Sequence, residues 1–258
     1  YPCTGTIVSR EYVLTAAHCL VDPETGVLRS DIEHIELELG YLEEDDKYDQ
    51  DSDRRNTLLI EVPDAADLSR IFYAVPFRKG SRMETVTGGA CSELGMTSRH
   101  NDDLEICGGC LDMTDFALLK IKDGYTEDVE QAFPVAKLAR IDPSVGLDMQ
   151  LVHHPAGGIQ LLTRRYCRPQ PSRSGGVMLN ASVFRHTCET QPGSSGAPIF
   201  SPRHDTILAI HTCCSDLKVR TSSAAESSNH AMTVSAMAAL STEISDLLDD
   251  DVAPVRDL

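Results

Sequence analysis

Three short segments carry residue types that could act together as a base, an acid and a nucleophile. His18 lies in the run Thr-Ala-Ala-His-Cys, Asp115 directly precedes the apolar run Phe116–Ile121, and Ser195 lies in Gly-Ser-Ser-Gly-Ala-Pro. A serine hydroxyl becomes a strong nucleophile when a base removes its proton, and imidazole suits that role because its pKa lies near about 6.5. A carboxylate on the far ring nitrogen fixes the tautomer and stabilises the imidazolium. The order His, Asp, Ser therefore predicts a Ser-His-Asp site for nucleophilic hydrolysis.

Two glycines beside the predicted nucleophile have geometric roles. Gly193 can turn its peptide so that its N–H and the N–H of Ser195 point to one spot, which predicts an oxyanion hole. Gly196 allows neighbouring backbone to approach the serine closely. Asp112 is a rival to Asp115 as the acid. Asp115 is favoured because it directly precedes the apolar run and can lie at a strand edge that faces a cleft.

Composition and charge limit the classes of partner. The chain has 258 residues, of which 41% are apolar, and 40 acidic against 23 basic residues give a net charge of −17. This charge argues against nucleic acid and anionic membranes, because both would be repelled, and it would attract cationic substrates. No apolar stretch is long enough to span a membrane and no leader is evident, so we expect a mature or truncated chain. Nine cysteines favour a secreted or extracellular setting, in which Asn180 of Asn-Ala-Ser is a candidate glycosylation site.

Short runs rich in Val, Ile, Leu and Thr recur between polar turns, which predicts an all-β fold. The predicted strands are Thr4–Ser9, Tyr12–Ala16, Ile35–Leu42, Thr57–Val62, Phe116–Ile121, Met149–His153, Ile159–Tyr166, Val177–Phe184, Pro198–Ser201 and Ile207–Thr212. One helix is predicted at Ser235–Leu248, where apolar residues recur mostly every three or four positions.

Two regions without strand periodicity are predicted to be long surface insertions, near 43–55 and 87–112. The first carries seven acidic side chains and the second three cysteines. The acidic run could bind calcium, but a solvated surface is favoured because no glycine stands at the loop position that a calcium-binding hand requires.

The chain resembles the trypsin/chymotrypsin-like serine protease family, most closely its glutamyl-endopeptidase-like branch. The matching motifs are T-A-A-H-C around His18, D-F-A-L-L-K from Asp115 and E-T-Q-P-G-S-S-G-A-P around Ser195, with weaker matches in H-H-P-A-G-G from His153 and A-I-H-T around His211. The resemblance implies a serine endopeptidase with a peptide or protein substrate. We expect no metal, no cofactor and a monomer.

The same resemblance implies two antiparallel six-stranded β-barrels with the cleft between them. Residues 1–123 would form the N-terminal barrel with His18 and Asp115, residues 124–234 the C-terminal barrel with Ser195, and residues 235–258 a helix and an acidic tail. The stretch from His18 to Asp115 is longer than such a barrel needs, and the two predicted insertions account for the excess.

Two disulfides are expected. The resemblance implies a bridge between Cys3 and Cys19 beside the catalytic histidine. Cys167 and Cys188 bracket the predicted strand Val177–Phe184, so a bridge there would tether the segment before the serine. The remaining cysteines have no assigned partner: Cys91, Cys107, Cys110, Cys213 and Cys214. Cys107-Gly-Gly-Cys110 could be a redox pair or half a zinc site, but structural disulfides are favoured because no second pair has zinc spacing.

The segment Ile210–Cys214 is predicted to pair with substrate. An exposed strand there could bind an extended peptide through main-chain hydrogen bonds, which favours peptide over ester hydrolysis and assigns Thr212 and Cys213 to substrate binding. Cys213 and Cys214 stand where relatives usually have glycines, and the chain begins at a strand inside the first barrel. A catalytically inactive protease-like binding protein or a zymogen is therefore the alternative function.

The residue preference before the scissile bond depends on three side chains. By the resemblance, Thr190 and His211 stand where glutamyl endopeptidases hold an acidic side chain, and both can donate hydrogen bonds to a carboxylate. Glu189 stands where trypsin-like relatives place an acid that selects Lys or Arg. An acidic preference is narrowly favoured, and Lys/Arg specificity stays open.

Overall fold

The computed structural model describes residues 2–20, 35–39, 56–60, 71–73, 115–120, 135–171, 177–178, 182–202, 206–214 and 229–248. The described residues are mostly β. The strands are β1 (Thr6–Ile7), β2 (Tyr12–Thr15), β3 (Ile35–Leu39), β4 (Asn56–Ile60), β5 (Ile71–Tyr73), β6 (Ala117–Lys120), β7 (Lys137–Leu138), β8 (Gln150–His153), β9 (Leu161–Thr163), β10 (Val183–His186), β11 (Pro198–Ser201), β12 (Thr206–Cys214) and β13 (Asn229–Thr233). The helices are α1 (Val234–Leu240) and α2 (Thr242–Asp246), and 3-10 turns span Ala17–Cys19 and Pro155–Gly157.

The first sheet has four antiparallel strands in the order β1, β2, β6, β5. Apolar side chains dominate the pairing of β2 with β6, where Val13 lies opposite Leu119 and Leu14 opposite Leu118. The last pair of this ladder is Thr15 with Ala117. The residues that follow β2 and those that precede β6 therefore emerge at the same end of the sheet.

The second sheet has seven strands, with β10, β13, β12, β11, β8 and β9 in that order and β7 parallel to β12. A separate pair joins β3 to β4. Strand β12 lies between β11 and β13, and its residues 206–212 are all buried. Whether each sheet closes into a six-stranded barrel, and the boundaries at 123 and 234, stay predictions.

Two hydrophobic clusters hold these layers together. The first joins both sheets to the C-terminal helices, because it contains Leu118 of β6, Ile210 of β12, Met237 of α1 and Ile244 of α2. The second lies within the larger sheet, around Phe184 and its neighbours. Full burial of one such large apolar side chain stabilises the fold by about 1.5–3 kcal/mol. The shared first cluster thus fixes the first sheet against the second.

The predicted helix Ser235–Leu248 is two short helices. Ser241 interrupts it with an extended backbone at φ −131° and ψ 125°, and its Oγ accepts a hydrogen bond from the N–H of Ile244. The same hydroxyl donates to the carboxylate of Glu243 at 2.8 Å. A serine that caps a new helix competes with continuation of the old one, which explains the break within an otherwise periodic sequence.

Some observed strands differ in their bounds from the predicted ones, and others were not predicted. The predicted strand Val177–Phe184 begins later, as β10, and Met178 contributes only an isolated bridge to Phe184. Strands β5, β7 and β13 were not predicted. Strand β13 has the sequence Asn-His-Ala-Met-Thr, in which Thr233 is the one β-branched residue and asparagine and alanine are depleted in strands, yet all five residues are buried. Burial between β10 and β12 therefore outweighs its low strand propensity.

The predicted insertions near 43–55 and 87–112 lie outside the described residues, as do Asn180, Asp112, Cys91, Cys107, Cys110 and the tail after residue 248. Cys213 and Cys214 are described by their backbone, which pairs with β13. No helix among the described residues has the length and apolar character that a membrane span requires.

Candidate active site

His18 and Asp115 meet where the β2–β6 ladder ends. His18 lies in the 3-10 turn after β2, and Asp115 lies two residues before β6. The Nδ1 atom of His18 is 2.6 Å from Oδ2 of Asp115, and the backbone N–H of His18 donates to Oδ1 at 2.9 Å. Asp115 is 5% exposed. Both carboxylate oxygens therefore receive donors from one residue, which fixes the imidazole in position and orientation.

Ser195 lies on the other side of the same imidazole. Its Oγ is 2.8 Å from Nε2 of His18, and its carbonyl accepts a hydrogen bond from the N–H of Thr4 at 2.8 Å. A disulfide joins Cys3 to Cys19, as predicted, and so links the segment that holds Thr4 to the turn that holds His18. The three predicted triad residues are therefore brought into one hydrogen-bonded series.

The turn around Ser195 depends on glycine at two positions. Gly193 has φ +97° and Gly196 has φ +84°, a backbone region that other L residues rarely adopt. A Cβ on Gly196 would overlap the carbonyl oxygen of Thr4 and the hydroxyl of Thr15. Among the described residues, none accepts a hydrogen bond from the N–H of Gly193 or of Ser195. Both N–H groups are thus available to a ligand, as an oxyanion hole requires.

A second imidazole, which the sequence analysis did not assign, lies beside the serine turn. Nδ1 of His153 is 2.7 Å from Oγ of Ser194, and its Nε2 is 3.2 Å from Oγ1 of Thr163. Ser194 is fully buried and His153 is 3% exposed. Burial lowers the pKa of His153, the nearby His154 lowers it further, and Glu189 opposes the shift. The ring is therefore neutral at neutral pH.

His211 belongs to a row of buried histidines on adjacent strands, with His186 on β10 and His230 on β13. Nε2 of His186 lies 3.1 Å from Nδ1 of His211, and the two rings meet edge to face. Burial, followed by the charge of His186, lowers the pKa of His211 well below its usual value. Burial and His230 lower the pKa of His186 to about 3. The sequence analysis singled out His211 but not His186 or His230, because the row forms only when their strands pair.

The other residues predicted to bind substrate are dispersed around this region. Thr190 is partly buried, whereas Glu189 is exposed and its carbonyl accepts a hydrogen bond from Thr163. Thr212 is buried, and its hydroxyl donates to the carbonyl of His230 at 3.3 Å. The backbone of Cys213 pairs with that of His230 across a register shift in β12.

The second predicted disulfide, between Cys167 and Cys188, is also present. Within the described ranges, Cys3, His18 and Cys19 form the single group whose ligand atoms lie close enough for a metal ion. Both cysteines of that group are joined in a disulfide, so they cannot supply thiolate ligands.

This combination of a mostly β fold with a Ser-His-Asp arrangement defines a chymotrypsin-fold class of protein. Residues 3–210 match the trypsin-like peptidase domain, and the chain belongs to that family. No curated protein sequence matches the chain. The narrower glutamyl-endopeptidase-like resemblance stays a prediction.

The chain is also similar to several solved structures. The thermostable serine protease AL20 from an extremophilic microorganism is 14% identical, with a TM-score of 0.50 over 89% of this chain and 82% of that one. The Rv3671c protease of M. tuberculosis in its active form is 14% identical, with a TM-score of 0.47 over 98% of this chain and 76% of that one. The scabies mite inactivated protease paralogue S-I1 is 16% identical, with a TM-score of 0.46 over 95% and 88%.

Proposed function

We propose that the chain is a serine endopeptidase that hydrolyses peptide bonds through an acyl-enzyme. His18 is the base, Asp115 orients it and Ser195 is the nucleophile. The observation that carries this proposal is the continuous path from Oγ of Ser195 to Nε2 of His18 at 2.8 Å and from Nδ1 to Asp115 at 2.6 Å. Membership of the trypsin-like peptidase family supports it.

The proton positions follow from the acceptors around His18. Asp115 offers only acceptors, so Nδ1 carries a proton and Nε2 presents its lone pair to the hydroxyl of Ser195. When Oγ attacks the peptide carbonyl, Nε2 takes the hydroxyl proton and later gives it to the leaving amine. A water molecule then attacks the acyl ester, with the same imidazole as base. The N–H groups of Gly193 and Ser195 would bind the negative oxygen that forms in each step.

We propose an acidic residue before the scissile bond. Support comes from His211, whose ring lies beside His186 and whose pKa responds to the charge of His18. If Nε2–H of His186 donates to Nδ1 of His211, the free Nε2–H of His211 can donate to a substrate carboxylate without carrying a positive charge. Thr190 would supply a hydroxyl. The exposure of Glu189 weakens the alternative of Lys/Arg specificity, because an acid that selects a cation is best shielded from water.

We also propose that the protein is secreted or extracellular and acts as a monomer. The two disulfides support this setting, because such bonds persist in oxidising compartments.

A fluorophosphonate probe tests the nucleophile. We expect one covalent label on the wild type, none on Ser195→Ala, and full labelling of Ser235→Ala, which removes a hydroxyl from α1 instead. Hydrolysis of an unstructured protein should disappear in His18→Ala. Labelling that persists in Ser195→Ala would refute the assignment, and a wild type with neither labelling nor turnover would favour the inactive binding protein.

A mixed peptide library tests the specificity separately. We expect cleavage after Glu or Asp in the wild type, and a rise in KM for acidic peptides in His211→Leu without a matching rise for neutral ones. Enrichment of Lys or Arg before the cut would transfer the assignment to Glu189.

A further inference from the structure

The segment from His153 to Gly158 contacts the serine turn from outside the triad, and the proposed mechanism has not used it. We infer that His153 is a positioning residue: its bond to Ser194, together with the N–H of Ala156, orients the two peptide groups that form the oxyanion hole. This inference rests on the proposed peptidase function for its catalytic consequence.

The hydrogen bonds of His153 form a directed series, which we call the support chain: Gln191 N–H, Ser194 Oγ, His153, Thr163 Oγ1 and the Glu189 carbonyl. The N–H of Gln191 donates to Ser194 Oγ at 3.1 Å, and Thr163 donates to the carbonyl at 3.4 Å. Thr163 therefore accepts from Nε2–H of His153, and Nδ1 accepts from the hydroxyl of Ser194. Neutral imidazole with its proton on Nε2 satisfies every member.

The support chain begins and ends on the loop that leads to Ser195. It joins residues 189, 191 and 194 of one loop through a single ring on β8. The N–H of Ser195 belongs to the peptide that links it to Ser194. Fixing the buried side chain of Ser194 therefore limits rotation of the peptide that carries one oxyanion donor.

The other oxyanion donor is held by the same segment. The N–H of Ala156 donates to the carbonyl of Pro192 at 2.5 Å. The described chain has no cis peptide, so that carbonyl and the N–H of Gly193, which share one peptide, point in opposite directions. Ala156 itself has φ +55°, an unfavourable region for alanine. The bond to Pro192 gives a physical reason for retaining that conformation at this position.

A third contact supports the serine turn from the segment that precedes β1. The hydroxyl of Thr4 donates to the carbonyl of Gly193 at 2.8 Å and accepts from the N–H of His154 at 3.1 Å. The serine turn thus lies between Thr4 and the segment 153–158. His153 bonds to the turn through its side chain, so this bond can be removed without a backbone change.

Kinetics of hydrolysis separate positioning from binding. We expect His153→Phe and Ser194→Ala each to lower kcat roughly tenfold with KM changed less than about twofold, because misaligned oxyanion donors weaken transition-state stabilisation only. His153→Asn should retain most of kcat, since its amide oxygen can replace Nδ1 toward Ser194, whereas His153→Gln should not. Leu162→Val, an exposed change on neighbouring β9, is the matched control and should leave kcat unchanged.

A double-mutant cycle tests whether the two residues act as a unit. If they do, His153→Phe with Ser194→Ala should lower kcat by roughly the same tenfold as either change alone. A product of roughly a hundredfold would show independent effects and would overturn the inference, as would changes confined to KM.

Amide hydrogen exchange of residues 189–197 provides a test that does not require activity. We expect faster exchange in His153→Phe and Ser194→Ala than in the wild type, and no change in Leu162→Val. Unchanged exchange and unchanged kcat in both variants would refute the positioning role. A wild type that does not react with fluorophosphonate would instead refute the proposed function, and exchange would still decide whether the support chain holds the turn.

Discussion

Replacement of Asp115 by asparagine is the most direct test of the proposed triad. The side chain keeps its shape, but one of its two acceptor oxygens becomes an NH2 donor. In the structure both carboxylate oxygens accept hydrogen bonds, one from the backbone N–H of His18 and one from its ring. An amide offers one oxygen. If that oxygen keeps the backbone bond, the NH2 group faces Nδ1 and forces the ring proton to Nε2, where it blocks removal of the Ser195 proton.

The size of the effect follows from two losses. In the transition state the Nδ1–H of the imidazolium loses its bond to a charged acceptor, which is worth about 1.5–3 kcal/mol, and it faces the NH2 group as a buried donor without an acceptor, which costs about 1–3 kcal/mol. Asp115 is almost fully buried, so water does not compensate either loss. Together they raise the barrier by about 2.5–6 kcal/mol, which corresponds to a decrease in kcat of roughly 10²- to 10⁴-fold.

The assay is kcat and KM on one peptide, with urea denaturation to establish that Asp115→Asn is folded. We expect kcat to fall and KM to change little, because Asp115 is buried and bonds to His18. Asp148→Asn, an exposed acid paired with Arg168, is the matched control and should have wild-type activity. A folded Asp115→Asn variant that retains kcat within tenfold of the wild type would refute the tautomer argument.

Three further predictions concern stability. Gly196→Ala should destabilise the fold by about 2 kcal/mol or more in urea denaturation and abolish labelling of Ser195, because φ is +84° and a Cβ would overlap Thr4. Replacing both cysteines of the Cys3–Cys19 bridge by serine should lower the free energy of unfolding by about 3 kcal/mol, and an unchanged urea midpoint would contradict this. Unfolded His186 binds a proton near pH 6.5 and the folded ring only near about 3, so stability should fall as pH drops through this window by about 1.4 kcal/mol per unit. His186→Leu should show a shallower pH slope of stability than the wild type.

The three segments proposed to carry the triad could be recognised from the sequence because each has a distinctive local pattern. A histidine after a small-residue strand end, an acid before an apolar strand and a serine between glycines each need only their neighbours. The register of β2 with β6, which is a finding of the structure, then brings His18 and Asp115 together. The bridge between Cys3 and Cys19, which flank one hairpin, was implied by the family resemblance and is present.

The support chain and the histidine row could not be found in this way. His153 and Ser194 are 41 residues apart, and their contact depends on the pairing of β8 with β11 and on the turn that follows residue 191. His230 lies on a strand whose sequence does not favour a strand. Polar residues on buried strands have no periodic signal, because their environment is set by neighbouring strands and not by their own segment.

Under the proposed function, His211 on strand β12 would contribute to both specificity and catalysis. The backbone carbonyl of His211 accepts a hydrogen bond from the N–H of Gly196, and the N–H of His211 donates one to the carbonyl of Ala197. The main chain of His211 therefore holds the residues that follow Ser195. Its side chain contacts His186 instead. A substitution that keeps the strand should therefore alter KM for acidic substrates alone, whereas one that disturbs the backbone should also lower kcat. Comparing His211→Leu with His211→Pro, which removes the N–H donor, separates these two contributions of one residue.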